Sequence, residues 1–107
     1  MKTIDVGILR SSRISFDLIG SFSSSAGKAA VKNDVFIENG KLSFGGRLYD
    51  SLKFTPCNGD SLFTLHDVTI GVNFHWQRKE SQSFKGELLF IVEDNEARAI
   101  NRIAVED

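Results

Sequence analysis

The chain has 107 residues and a formal charge of -1, from 13 Lys and Arg against 14 Asp and Glu, and 41% of its residues are hydrophobic. That length fits one domain able to bury roughly 60 to 70% of its unfolded surface, and the balanced charge argues against nucleic acid or an anionic membrane as partner, since both select a basic face. Cys57 stands alone, which excludes an intrachain disulfide, and no apolar run approaches the roughly 20 residues of a membrane-spanning helix.

Alternation is the dominant local signal. Ile4, Val6 and Ile8 predict a first strand over about residues 3 to 9, and Ile14, Phe16 and Leu18 predict a second that breaks at Gly20. Ser21 to Lys28 is small, polar and Gly-containing, the composition of a loop. Val31, Val35 and Ile37 then lead to Asn39-Gly40, the strongest short hairpin signal, with Leu42 and Phe44 returning, so residues 34 to 45 are expected as a hairpin. Leu48, Leu52 and Phe54 are expected as inward anchors, and residues 56–60 as a turn.

The longest alternating run is Val68, Ile70, Val72, Phe74 and Trp76. Polar residues 78–82 are expected as its hairpin loop, with Phe84, Leu88, Phe90 and Val92 on the return, the whole forming a central hairpin. If the even register begins at His66, that side chain points inward and His75 outward. Asp94-Asn95-Glu96 turns the chain into a last strand carrying Ala99, Ile103 and Val105. No segment sustains the spacing of an amphipathic helix. The expected fold is a single all-β domain over residues 1–107, an antiparallel sandwich or partly closed barrel of about eight to ten short strands.

The chemical motifs are weak. Gly20 to Lys28 resembles a phosphate loop, but six residues separate Gly20 from Gly27-Lys28 where the motif needs four, and Ala29 stands at the Mg²⁺-binding position. His66, His75, Cys57 and Asp67 lack the spacing of a zinc site. Gly-x-Ser-x-Gly does not occur, and residues 85–92 miss the aromatic positions of an RNA-binding strand. Glu93, Asp94, Glu96, Glu106 and Asp107 read as a polar turn and a polar end. No cofactor and no catalytic residue is expected. The candidates for ligand or partner contact are Trp76 with its neighbours Arg78 and Lys79, and Ser24 and Lys28 of the loop. Trp76 has the parity of the buried face, which favours a core role over sugar stacking.

Residues 99–107, Ala-Ile-Asn-Arg-Ile-Ala-Val-Glu-Asp, together with Phe84-Lys85-Gly86-Glu87-Leu88 about fifteen residues earlier, resemble the SpoIID/LytB family of sporulation stage II protein D and amidase enhancers. In that family an aromatic, a basic residue and Gly open a strand, and the chain returns through an Asn and an apolar pair to an acidic dipeptide. Ile4-Asp5-Val6-Gly7-Ile8 is similar to the family's opening strand, and residues 67–77 are similar to the long hairpin of Bacteroides-type members. The resemblance implies peptidoglycan remodelling by a lytic transglycosylase or amidase enhancer, with glycan strands or a cell-wall amidase as partner and a place in the cell envelope or outside the cell. The family's catalytic Glu lies in a helix after a Tyr-Leu that follows the acidic dipeptide. Glu106 and Asp107 match only the entrance to that helix. The expectation is therefore a non-catalytic N-terminal β domain that contacts the C-terminal remainder of its own chain, with an autonomous carbohydrate- or protein-binding module as the alternative.

Overall fold

The structure is a computed structural model that describes residues 2–27, 30–73 and 76–105, with side chains except those of residues 67–80 and 105. The described residues form eleven strands: β1 (Lys2–Ser11), β2 (Arg13–Ile19), β3 (Phe22–Ser24), β4 (Lys32–Glu38), β5 (Lys41–Phe44), β6 (Arg47–Tyr49), β7 (Ser51–Pro56), β8 (Leu62–Asn73), β9 (Trp76–Phe84), β10 (Glu87–Glu93) and β11 (Glu96–Val105). They build two antiparallel sheets, β1-β11-β10-β7-β3 and β6-β5-β4-β2-β8-β9. The sheets pack face to face as a sandwich and do not close into a barrel. Among the described residues no helix is long and apolar enough to cross a membrane.

Side-chain alternation decides which face is buried. Ile14, Phe16 and Leu18 of β2, Val35 of β4, Leu42 and Phe44 of β5, and Phe63 and Leu65 of β8 point inward from the six-stranded sheet. Leu52, Phe54, Leu88, Phe90, Ala97 and Ala99 meet them from the other. At the centre Phe16 lies 4.9 Å from Phe90 and 5.3 Å from Phe54, and Phe44 lies 5.6 Å from Phe54, ring centre to ring centre. Each such aromatic pair adds about 0.5–1.5 kcal/mol to the burial of its rings, and these pairs bridge the two sheets. Asn39 and Gly40 adopt φ of 53° and 75° and join β4 to β5, as the mirror-image turn requires.

The expectation of a central hairpin is corrected. Residues 78–82 are strand, not loop: β9 pairs with β8 from Phe63↔Phe84 to Asn73↔Trp76, at the outer edge of the six-stranded sheet. A polar, charged sequence suits an edge strand, which is exposed along one side. Residues 83–93 are also not one strand, because the chain changes sheet at Lys85-Gly86, where Gly86 takes φ of 98°. β2 covers β8 only from Leu62 to Leu65, so beyond that point β8 and β9 project as a two-stranded ribbon.

Leu48 is 42% exposed, because three-residue β6 forms the open edge of its sheet. Within the expected loop, residues 22–24 form β3 and pair with β7. With β6, this second very short strand takes the count above the eight to ten expected.

Candidate functional site

Ser24 lies in a shallow groove of about 300 Å³ lined by Ser23, Ser24, Ser25, Lys53 and Thr55. Its geometry follows from short β3 ending in a turn: Ser24 Oγ accepts the Ala26 N–H at 2.9 Å, and Ser25 Oγ accepts the Lys53 N–H at 3.0 Å. Small hydroxyl residues serve this position by closing their own backbone turn. Glu87 spans the neighbouring strand, where its Oε2 accepts from Thr55 at 2.9 Å and pairs with Lys53 at 3.2 Å. Hydroxyl groups and one ion pair can exchange hydrogen bonds with a polyhydroxylated ligand, but no aromatic ring among the residues lining this groove offers a stacking platform.

A second polar cluster covers the outer face of the six-stranded sheet. His66 Nδ1 lies 2.7 Å from Ser81 Oγ, and His66 Nε2 lies 3.1 Å from Asp17 Oδ2. Asp17 can only accept, so it selects the tautomer with the proton on Nε2, and Nδ1 then accepts the Ser81 hydroxyl. The expectation that His66 points inward is thereby corrected. β8 shifts register between Leu65 and Val68, so parity read backwards from Val68 fails across the bulge and Leu65 is the inward residue. Ser15 and Arg13 bond to Asp34 nearby, and Ser15, Asp17, Lys32, Asn33, Asp34 and His66 line a groove of about 290 Å³.

A serine, a base and a carboxylate in hydrogen-bonded order have the connectivity of a nucleophilic triad. Acyl transfer also requires donors aimed at a developing oxyanion in a site shielded from water. Here His66 and Asp17 retain 33% and 22% of their side-chain exposure on an open sheet face. The arrangement is suited to tying β2, β8 and β9 together at the point where the ribbon leaves the sheet.

Four of the five predicted contact residues, Ser24, Trp76, Arg78 and Lys79, fall within the described strands, on two different sheets. Ser24 belongs to the edge of one sheet, and Trp76, Arg78 and Lys79 to the edge strand of the other. Trp76 pairs with Asn73, Arg78 with Ile70 and Lys79 with Thr69 in backbone register, and their side chains lie outside the described residues. Lys28, Ala29, His75, Glu106 and Asp107 lie outside them entirely. Cys57 is exposed, and no group of three or more His, Cys, Asp or Glu among the described residues is placed to hold a metal.

Asn101 is the buried polar residue whose importance the sequence alone did not reveal. It is 3% exposed, and its amide donates to Lys85 O at 2.9 Å and to Glu87 O at 3.1 Å. Gly86 sits inside this clamp, and a Cβ there would stand 2.7 Å from Arg102 O and 3.2 Å from the Asn101 amide nitrogen. β1 reaches the same place, with Val6 opposite Asn101 and Gly7 opposite Ile100. Gly7 leaves room for the Arg98 guanidinium, which a Cβ would meet at 2.5 Å. The buried amide thus ties the turn at Lys85–Glu87 to β11, and β1 lies alongside. No protein-family model matches the chain, and neither does any curated protein or any solved structure.

Proposed function

We propose that residues 1–107 are the β-rich N-terminal part of a SpoIID/LytB-like peptidoglycan-remodelling protein. In this role the domain acts in the cell envelope and is not itself catalytic. It holds the glycan site that another part of the same protein supplies, and the partners of the whole protein are peptidoglycan glycan strands or a cell-wall amidase.

One observation carries the reading. The stretches that resemble the family lie on adjoining strands: the Asn101 amide bonds Lys85 O and Glu87 O on either side of Gly86, and Val6 is opposite Asn101 in register. Their roles are structural: Gly86 admits the close approach of Arg102, and Asn101 satisfies two carbonyls. The supporting role also agrees with the described carboxylates, which lie on open faces or in ion pairs. General acid cleavage of a glycan needs a carboxyl group held against the scissile bond.

The hydroxyl-lined groove at Ser23–Ser25 favours a second reading, an autonomous carbohydrate- or protein-binding module. An NMR titration of the domain with soluble peptidoglycan fragments separates the two. A well-dispersed spectrum that stays unchanged supports the scaffold. Saturable shifts clustered on Ser23–Ser25, Lys53 and Thr55 would replace it with the binding module.

A further inference from the structure

β1 and β11 pair in unbroken register from Lys2↔Val105 to Gly7↔Ile100 and resume at Leu9↔Ala99, so Ile8 is a bulged residue with no partner across the ladder. A bulge bends its strand and re-aims the side chains around it. A groove of about 200 Å³ opens at this point, lined by Gly7, Ile8, Leu9, Arg10 and Arg98.

Arg98 lies over the groove, anchored at one end. Its Nη1 donates to Glu93 Oε1 at 2.7 Å. Gly7 makes room for the rest of the guanidinium, since a Cβ at that position would stand 2.5 Å from Nη2 and 3.1 Å from Nε. Nε and Nη2 form the arginine fork whose two parallel N–H groups match the two oxygens of a carboxylate. Neither nitrogen has an acceptor among the described residues. Arg10 differs, because its guanidinium is taken up by Glu93 and Asp94 at 3.2 Å and by Glu96 at 3.3 Å. A guanidinium already held by Glu93 has less rotamer freedom to lose when a ligand arrives.

We propose that this groove binds a small monocarboxylate through Nε and Nη2 of Arg98, over Gly7. The two free donors set the chemistry of the ligand, and the volume sets its size: sites that enclose drug-sized ligands hold roughly 300–1,000 Å³, so this occupant has few heavy atoms. The charge selects among anions. Two guanidinium groups here meet the three carboxylates of Glu93, Asp94 and Glu96, and the surplus negative charge repels a phosphate dianion more strongly than a single carboxylate. Ile8 and Leu9 line the same groove and give a short aliphatic substituent an apolar contact. The site is independent of the functional reading above.

The test is an NMR titration of the isotope-labelled domain with sodium propionate, with sodium chloride and sodium phosphate as controls at equal ionic strength, following the Arg98 Nε–H and the amides of Gly7 to Leu9. Propionate should shift these signals saturably and chloride should not. Arg98→Lys keeps the charge without the fork and should weaken binding about tenfold or more, the worth of one charge-assisted hydrogen bond. Gly7→Ala fills the space beneath the fork and should weaken it by a similar factor. An added Cβ there meets only the movable end of a side chain, so the variant should keep a dispersed spectrum. Lys41→Gln, which removes a positive charge from the other sheet, should bind as wild type. Equal shifts with chloride, wild-type affinity in Arg98→Lys and Gly7→Ala, or saturation by phosphate at lower concentration than by propionate would each overturn the site. Propionate carries no glycan, so the result is separate from that of the peptidoglycan titration.

Discussion

In the middle of the five-stranded sheet Leu52, Phe54, Leu88 and Phe90 alternate with less buried neighbours and are at most 1% exposed; at the β1–β11 edge Ile4, Val6 and Ile103 alternate on the same side and remain 41 to 53% exposed. Sequence pattern and strand geometry are alike in the two places. The difference is position: Phe16 and Phe44 stand over the centre, whereas Ile4, Val6 and Ile103 lie toward the ends of β1 and β11, where β10 stops accompanying β11 at Arg102. Alternation specifies a face, whereas burial also needs a partner for that face.

The largest expected effect tests the centre. Phe16→Ala removes the ring common to three aromatic contacts and should cost about 3–5 kcal/mol in denaturant unfolding, the usual range for a buried Phe. The same measurement on Ile4→Ser should cost less than about 1 kcal/mol, because the residue is already 53% exposed. A large loss at Ile4 would erase the contrast between the regions.

The clamp lies between these extremes. Asn101→Ala leaves Lys85 O and Glu87 O without their donor and should destabilise by roughly 2–3 kcal/mol. Gly86→Ala should cost about 1–3 kcal/mol through its positive φ and the crowding against Arg102 O. Thermal unfolding of the pair checks both. Stability near wild type would show that the tie between Asn101 and the Lys85–Glu87 turn is incidental.

Smaller effects come from the exposed polar ties. His66→Ala breaks the links to Asp17 and Ser81 and should cost less than about 1 kcal/mol, with the loss seen as faster amide exchange in β8 and β9. At the other edge, the hydrogen bond from Arg102 holds the Asp5 carboxyl below its ordinary 3.8. Its contribution is therefore complete above the ordinary value and lost as pH falls through the lowered one. Amide exchange in β1 should accelerate on acidification in that window, and Asp5→Asn should remove the dependence.

Much of the fold was legible in the residues, because Ile14-Phe16-Leu18, Leu88-Phe90 and the Asn39-Gly40 turn each need only their own neighbours to declare a strand or a hairpin. Two kinds of information were not. Polar Arg78 to Gln82 read as a loop because edge strands and loops share a composition, and only pairing with β8 separates them. The bulge between Leu65 and Val68 reversed the side on which His66 emerges, so the Asp17–His66–Ser81 contact was invisible in parity. Asn101 offered a weaker clue, a lone amide in a strand of alternating apolar residues, but its acceptors at Lys85 and Glu87 are set by the sheet.

The central claim is tested most directly by incubating purified peptidoglycan sacculi with the 107-residue domain and, separately, with the protein extended beyond Asp107, each with and without a cell-wall amidase. Release of soluble glycan fragments is the readout. The extended protein should release fragments itself or increase release by the amidase, and the 107-residue domain alone should release none. Release by the 107-residue domain without any partner would contradict the account.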